Sequence, residues 1–204
     1  MGMWFVRRRS CVNLTMNPNK VYGDLINSAS GAKTHYEVWW AQASRARPEY
    51  VGVMNRHSDF FRASYHAHYT SFFVCLAHLF DRRTDSSSIP TFFTAVRPTI
   101  APTTLQALEA RFEVLAKRAR PLVEVRHKTV AHIDAKLTEK DVFAPLSITW
   151  NEIREIIYDT CRFVEELNPT QMTPDVGQIG IPRDERLIEA TMKLIRELAD
   201  TQKR

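Results

Sequence analysis

An apolar period of three to four residues constrains this chain most, and it is clearest in TWNEIREIIYDTCRFVEELN (149–168). Ile153, Ile156, Ile157, Thr160, Val164 and Leu167 fall on one stripe of a helix, with polar residues on the other side. Thr149 and Glu152 stand at capping-box spacing, so each side chain can satisfy an amide that the first turn leaves orphaned. The pattern recurs in TTLQALEARFEVLAKRAR (103–120), with a second box at Thr103 and Gln106 and a stripe of Leu105, Leu108, Phe112 and Leu115. It recurs again in DERLIEATMKLIRELAD (184–200), as Leu187, Thr191, Leu194, Ile195 and Leu198. Residues 19–46 read as a helix bearing Tyr22, Ile26 and Trp40, and residues 49–82 as a longer one, apolar nearly all round at 72–76. Strict alternation is scarce, and no Asn-Gly or Asp-Gly hairpin signal occurs. The fold class expected is all-α.

Breaks fall at Pro48, at 81–90, at 97–103, at 134–147 and at 168–182. They divide the chain into a tail (1–15), a helical domain (16–168), a linker (169–183) and a C-terminal helix (184–204). The C-terminal helix either packs back on the core or exchanges with a partner. Met16 is an alternative start.

Composition narrows the function classes. A 44% apolar, 25% charged chain of 204 residues suits a globular domain, and 28 Lys+Arg against 23 Asp+Glu leaves a mild excess of +5. That excess is compatible with a polyanionic partner without requiring one. The densest apolar run, SFFVCLAHLF (71–80), is half the length needed to span a bilayer, so no membrane association is expected. Cys11, Cys75 and Cys161 are too few and scattered for a disulfide framework; Cys75 and Cys161 sit among apolar neighbours, which points to buried reduced thiols and a cytoplasmic home.

Most of the eye-catching clusters have bland readings. His66 and His68 lie about 200° apart on a helix and cannot share one ion there, so neither metal nor cofactor is expected. Trp39, Trp40, Phe60, Phe61, Phe72 and Phe73 read as core rather than as a base-stacking platform. The exception is RPLVEVRHKTVAHIDAKL (120–137), led by KRAR (117–120). With Pro121 opening a helix, Val123, Arg126, Val130, Ile133 and Leu137 form one seam that carries a cation among apolar residues. Val125, Thr129 and His132 form a second. Two accounts fit: Arg126 and His132 are satisfied core polar groups, or they converge on a cleft shared with a second molecule.

Arginine, a polar residue, then histidine a few positions on is similar to the Arg-x(4–6)-His signature of the HEPN superfamily. Arg62 to His68 and Arg120 to His127 satisfy the bare spacing as well. The fuller string Arg126-His127-Lys128-x-x-Ala131-His132-Ile133-Asp134 resembles the abortive-infection AbiU-type branch, with His127 where that branch carries Asn or Asp. HSDFFRASYHAHYTSFFVCLAHLFD (57–81) resembles the long central helix of the same branch, and the likeness runs from about 20 to 168. The resemblance implies a helical bundle that forms a homodimer. It also implies a metal-independent endoribonuclease of a toxin or antiphage system, or a HEPN module that has lost activity and binds RNA, a nucleotide or a protein such as an antitoxin. On it, Arg126 and His132 are the catalytic pair and His127 the polar residue beside them. Lys117, Arg118, Arg120 and Lys128 are expected to hold flanking RNA phosphates.

Overall fold

The computed structural model describes residues 16–44, 48–126, 148–168, 180–182 and 184–201. Among them are seven helices and no strand: α1 (Pro18–Ser44), α2 (Pro48–Arg56), α3 (Ser58–Leu79), α4 (Ile89–Val96), α5 (Pro102–Val125), α6 (Trp150–Glu166) and α7 (Arg186–Asp200). The all-α expectation holds. The tail (1–15), most of the linker (169–179 and 183), and His127, Lys128 and His132 lie outside the described residues.

Helix α1, 27 residues and so about 40 Å long, is the axis of the bundle. It packs against α3, α4, α6 and α7, while α5 lies on α3 and α6. Side-chain pairs fix antiparallel directions: Gln42 meets Ser64 and His35 meets His68 along α1/α3, and Arg111 meets Glu166 and Arg118 meets Asp159 along α5/α6. Gly31 permits close approach on the first seam, since a Cβ there would stand 3.0 Å from Cys75 Sγ.

The main core is aromatic. Trp39 is 1% exposed and contacts the rings of Tyr36, Tyr65, Tyr69, Phe72 and Trp150. The stripe predicted for α6 is wholly buried, and its capping box forms: Thr149 N–H donates to Glu152 Oε2 at 2.7 Å and Glu152 N–H to Thr149 Oγ1 at 3.2 Å. Cys161 is buried and donates to the Ala29 carbonyl at 3.4 Å, and burial pushes its thiol up to about 12. Cys75 is half-buried, and both thiols are free.

Several expectations are corrected. The region 49–82 is two helices, broken at His57. A helix missing from the sequence reading, α4, sits between two breaks; Ser88 caps it by accepting from Thr91 N–H at 3.4 Å, and Pro90 stands in its first turn. The second capping box does not form, because α5 begins at Pro102 and places Thr103 inside the first turn. Pro121 opens no helix but lies within α5. The interior of a helix tolerates proline only at the loss of one backbone hydrogen bond. Phe60 is 62% exposed, not core. On α7 the buried residues are Ile188, Met192 and Ile195; of the predicted stripe Ile195 is buried and Leu198 packs beside it, whereas Leu194 faces out.

Those α7 residues do not join the main core. With Ala41, Tyr50 and Phe61 they form a second, smaller cluster, bordered by Trp40, Met54 and Leu198. The C-terminal helix therefore packs back on α1 and α2 of its own chain.

Candidate functional site

Helix α5 delivers the predicted cations. Its buried residues Leu105, Phe112, Leu115, Ala119, Leu122 and Val125 fix which face turns inward, and the charges between them are left outside. Arg126 is the C-cap, half-buried, with its N–H donating to the carbonyls of Leu122 and Val123. A guanidinium at this end complements the partial negative charge of the helix C-terminus. Leu122 and Val125, at 1% and 0% exposure, anchor the turn that carries it.

Lys117, Arg118 and Arg120 are exposed on the same helix, but they do not form one stripe with Arg126. At about 100° per residue, Arg118 lies about 80° from Arg126 in azimuth, Arg120 about 120° and Lys117 about 180°. Two of these charges are engaged within the chain: Arg118 donates to Asp159 at 2.6 Å and Arg120 to Glu124 at 3.0 Å. Between α5 and α6 runs a cleft of about 300 Å³ lined by Arg111, Arg118, Arg162, Asp159, Phe163 and Glu166. Burial works to raise the Asp159 carboxyl, but hydrogen bonds from Arg118 and Arg162 outweigh it and hold it below the ordinary range.

Two other polar constellations were missed by sequence reasoning. The first lies where α1, α6 and the start of α7 meet. Lys33 and Glu37 form an ion pair at 2.5 Å with side chains 3% and 0% exposed. Lys33 Nζ also donates to the Asp184 carbonyl at 2.6 Å and sits 4.8 Å from the Tyr158 ring centre. Tyr158 donates to Glu37 Oε1 at 2.9 Å, and Arg154 pairs with Glu185 beside it. Burial and the nearby Glu37 anion push the Tyr158 hydroxyl well up, so it stays a donor. Glu37 Oε2 has no hydrogen-bond partner among the described residues. A lysine and a glutamate four apart on a helix ordinarily mark a solvated face, so the sequence carries no signal that this pair is internal.

The second is His35 on α1 and His68 on α3, whose Nδ1 atoms lie 2.8 Å apart. As a possible metal ligand, His68 pairs in sequence with His66, which is exposed. Among the described residues no group of three or more His, Cys, Asp and Glu side chains converges as a metal site.

The described helices form a bundle in which α5 carries Arg126 at its C-terminal end, six positions ahead of His132 in the sequence. The family model HEPN_AbiU2, described as AbiU2, matches residues 20–169. The chain belongs to that family, the abortive-infection type of HEPN module, and α7 lies beyond the matched residues. Searches among curated proteins and among solved structures found no match. No helix among the described residues is long and apolar enough to cross a membrane.

Proposed function

We propose that this module is a metal-independent endoribonuclease of a prokaryotic toxin or antiphage system, acting in the cytoplasm as a homodimer. The observation that carries the proposal is the position of Arg126: a half-buried guanidinium at the end of α5, inside the matched residues, with His132 six positions on. RNA brings its own nucleophile, the ribose 2′-hydroxyl, so the protein need only move protons and offset charge. A histidine titrating near neutrality takes the 2′-hydroxyl proton as the 2′-oxygen bonds to phosphorus. The P–O5′ bond breaks, and a second histidine across the dimer protonates the leaving 5′-oxygen. The arginine fork holds the phosphate oxygens on which charge builds. His127 stands beside Arg126 as the accompanying polar residue, and Lys117, Arg118, Arg120 and Lys128 hold neighbouring phosphates.

The second reading is a non-catalytic module that binds RNA, a nucleotide or an antitoxin protein. It is favoured by His127, where the branch carries Asn or Asp, and by the pairing of Arg118 and Arg120 within the chain. Incubation with RNA and matched DNA in excess chelator separates the two. RNA cut to a 2′,3′-cyclic phosphate, DNA left intact, and a loss of 100-fold or so in both Arg126→Ala and His132→Ala are expected of the nuclease. RNA retained but uncut by the wild-type chain would leave the binding module.

A further inference from the structure

The α1/α3 seam carries functional groups at three levels. Gln42 Nε2 donates to Ser64 Oγ at 2.9 Å, His35 meets His68, and Gly31 lies against Cys75. Only the middle level joins two groups that are both ligands for metals. The two rings are half-buried, with centroids 5.0 Å apart and planes inclined by 45°. As they stand, one Nδ1 must donate and the other accept, so at least one ring already directs a lone pair at its partner. Two imidazolium ions could not adopt this contact. Burial lowers the pKa of both histidines, and for His35 the neighbouring His68 lowers it further, so both rings are neutral at neutral pH.

Neutral imidazole is the commonest metal ligand, and the distance can be compared with what an ion needs. With metal–nitrogen bonds of about 2.0–2.1 Å at a tetrahedral angle, two ligating nitrogens stand about 3.3 Å apart. The observed 2.8 Å falls short by about half an ångström, a gap that small rotations of two side chains on separate helices close. Lys33 and Glu37, which flank His35 on α1, are occupied with each other and with Asp184 and Tyr158. On α3, His66 is turned about 200° away.

We propose that His35 and His68 form a two-imidazole site for a divalent transition-metal ion of the zinc, nickel or copper class, clamping α1 to α3, with water completing the coordination. Imidazole ligands suit these ions rather than magnesium or calcium. The site is on a different pair of helices from Arg126 and does not depend on the ribonuclease reading.

Tag-free full-length protein, stripped with chelator, is titrated separately with zinc, nickel and copper ions by calorimetry. One equivalent binds, and at a hundredfold excess over the dissociation constant the melting midpoint rises by roughly 5–10 °C. His35→Gln and His68→Gln each weaken binding by at least about tenfold, and His66→Gln does not. The copper-loaded wild-type protein shows splitting from two imidazole nitrogens in electron paramagnetic resonance, and either glutamine variant shows one. Absence of binding at millimolar ion overturns the proposal. So does binding unchanged in both glutamine variants, which would place the ion on other histidines. If the glutamine variants fail to fold, the wild-type copper spectrum decides: coordination without two imidazole nitrogens overturns it.

Discussion

The two apolar clusters of this molecule are held by different physics. The main core is a continuous set of rings and branched aliphatics from α1, α3, α4, α5 and α6, closed around Trp39, Tyr36 and Phe72. Among the described residues the seat of α7 buries six, and beside it stands the latch of Lys33, Glu37, Tyr158, Arg154 and Glu185. Apolar burial is non-directional and tolerates small misfits in docking angle. A buried ion pair tolerates none, because the desolvation cost of two charges is offset only in good geometry. The main core thus supplies stability, and the latch specifies where the final helix must sit. The matched residues 20–169 contain all of the first region except Ile181, and the second only in part.

The contrast can be broken from either side. Trp39→Ala removes the hub of the ring cluster, and a loss of about 3–5 kcal/mol is expected in urea unfolding, with all helices lost together. A smaller loss, with α3 and α6 keeping their hydrogen-exchange protection, would show that the core is not the cooperative unit. Lys33→Ala leaves Glu37 charged in the interior, and the expected loss is about 3 kcal/mol, at the lower end for a broken buried pair. The paired change Lys33→Met with Glu37→Leu should be near neutral for stability while freeing α7, seen as lost exchange protection confined to 186–200. If the paired change instead leaves α7 as protected as before, apolar contacts alone seat it.

The smallest effect is in pH. His35 and His68 have folded-state pKa values below the ordinary 6.5, first through burial. Between the folded and unfolded values the unfolded chain binds more protons, so stability is fully present above about pH 6.5 and declines as pH falls. Urea midpoints at pH 7.5 and 5.5 should differ more for the wild type than for a His35→Gln/His68→Gln double variant. Equal differences would mean that the pair contributes nothing to the acid limb.

What the sequence disclosed follows the same division. The α6 stripe was readable because one face of that helix meets one core, and local period then equals burial. On α7 the period identified a helix but not its azimuth: Leu187, Ile188, Thr191, Met192, Leu194 and Ile195 give two overlapping stripes, and only the position of α1 and α2 selects between them. Phe60 and Phe61 present the same ambiguity, resolved by the same small cluster, which takes Phe61 and leaves Phe60 outside. Helix α4 was hidden because its eight residues show little more than two turns of period, and its own Pro90 reads in sequence as a break. The family string around Arg126 was readable as a pattern of residue types, and the structure adds the face on which each α5 cation stands. His35 and His68, and Lys33 with Asp184, join segments 33 and 151 positions apart, and no local spacing announces such meetings.

The bond from Lys33 to the Asp184 carbonyl has a consequence for where this protein should be divided. A piece cut at the end of the family resemblance would keep the ammonium and the carboxylate in α1 but lose the backbone that covers them. Water would then reach a charge pair that is dry in the whole chain. The family match ends near residue 169, whereas the buried charge pair extends the unit at least to Asp184, just before the last helix begins.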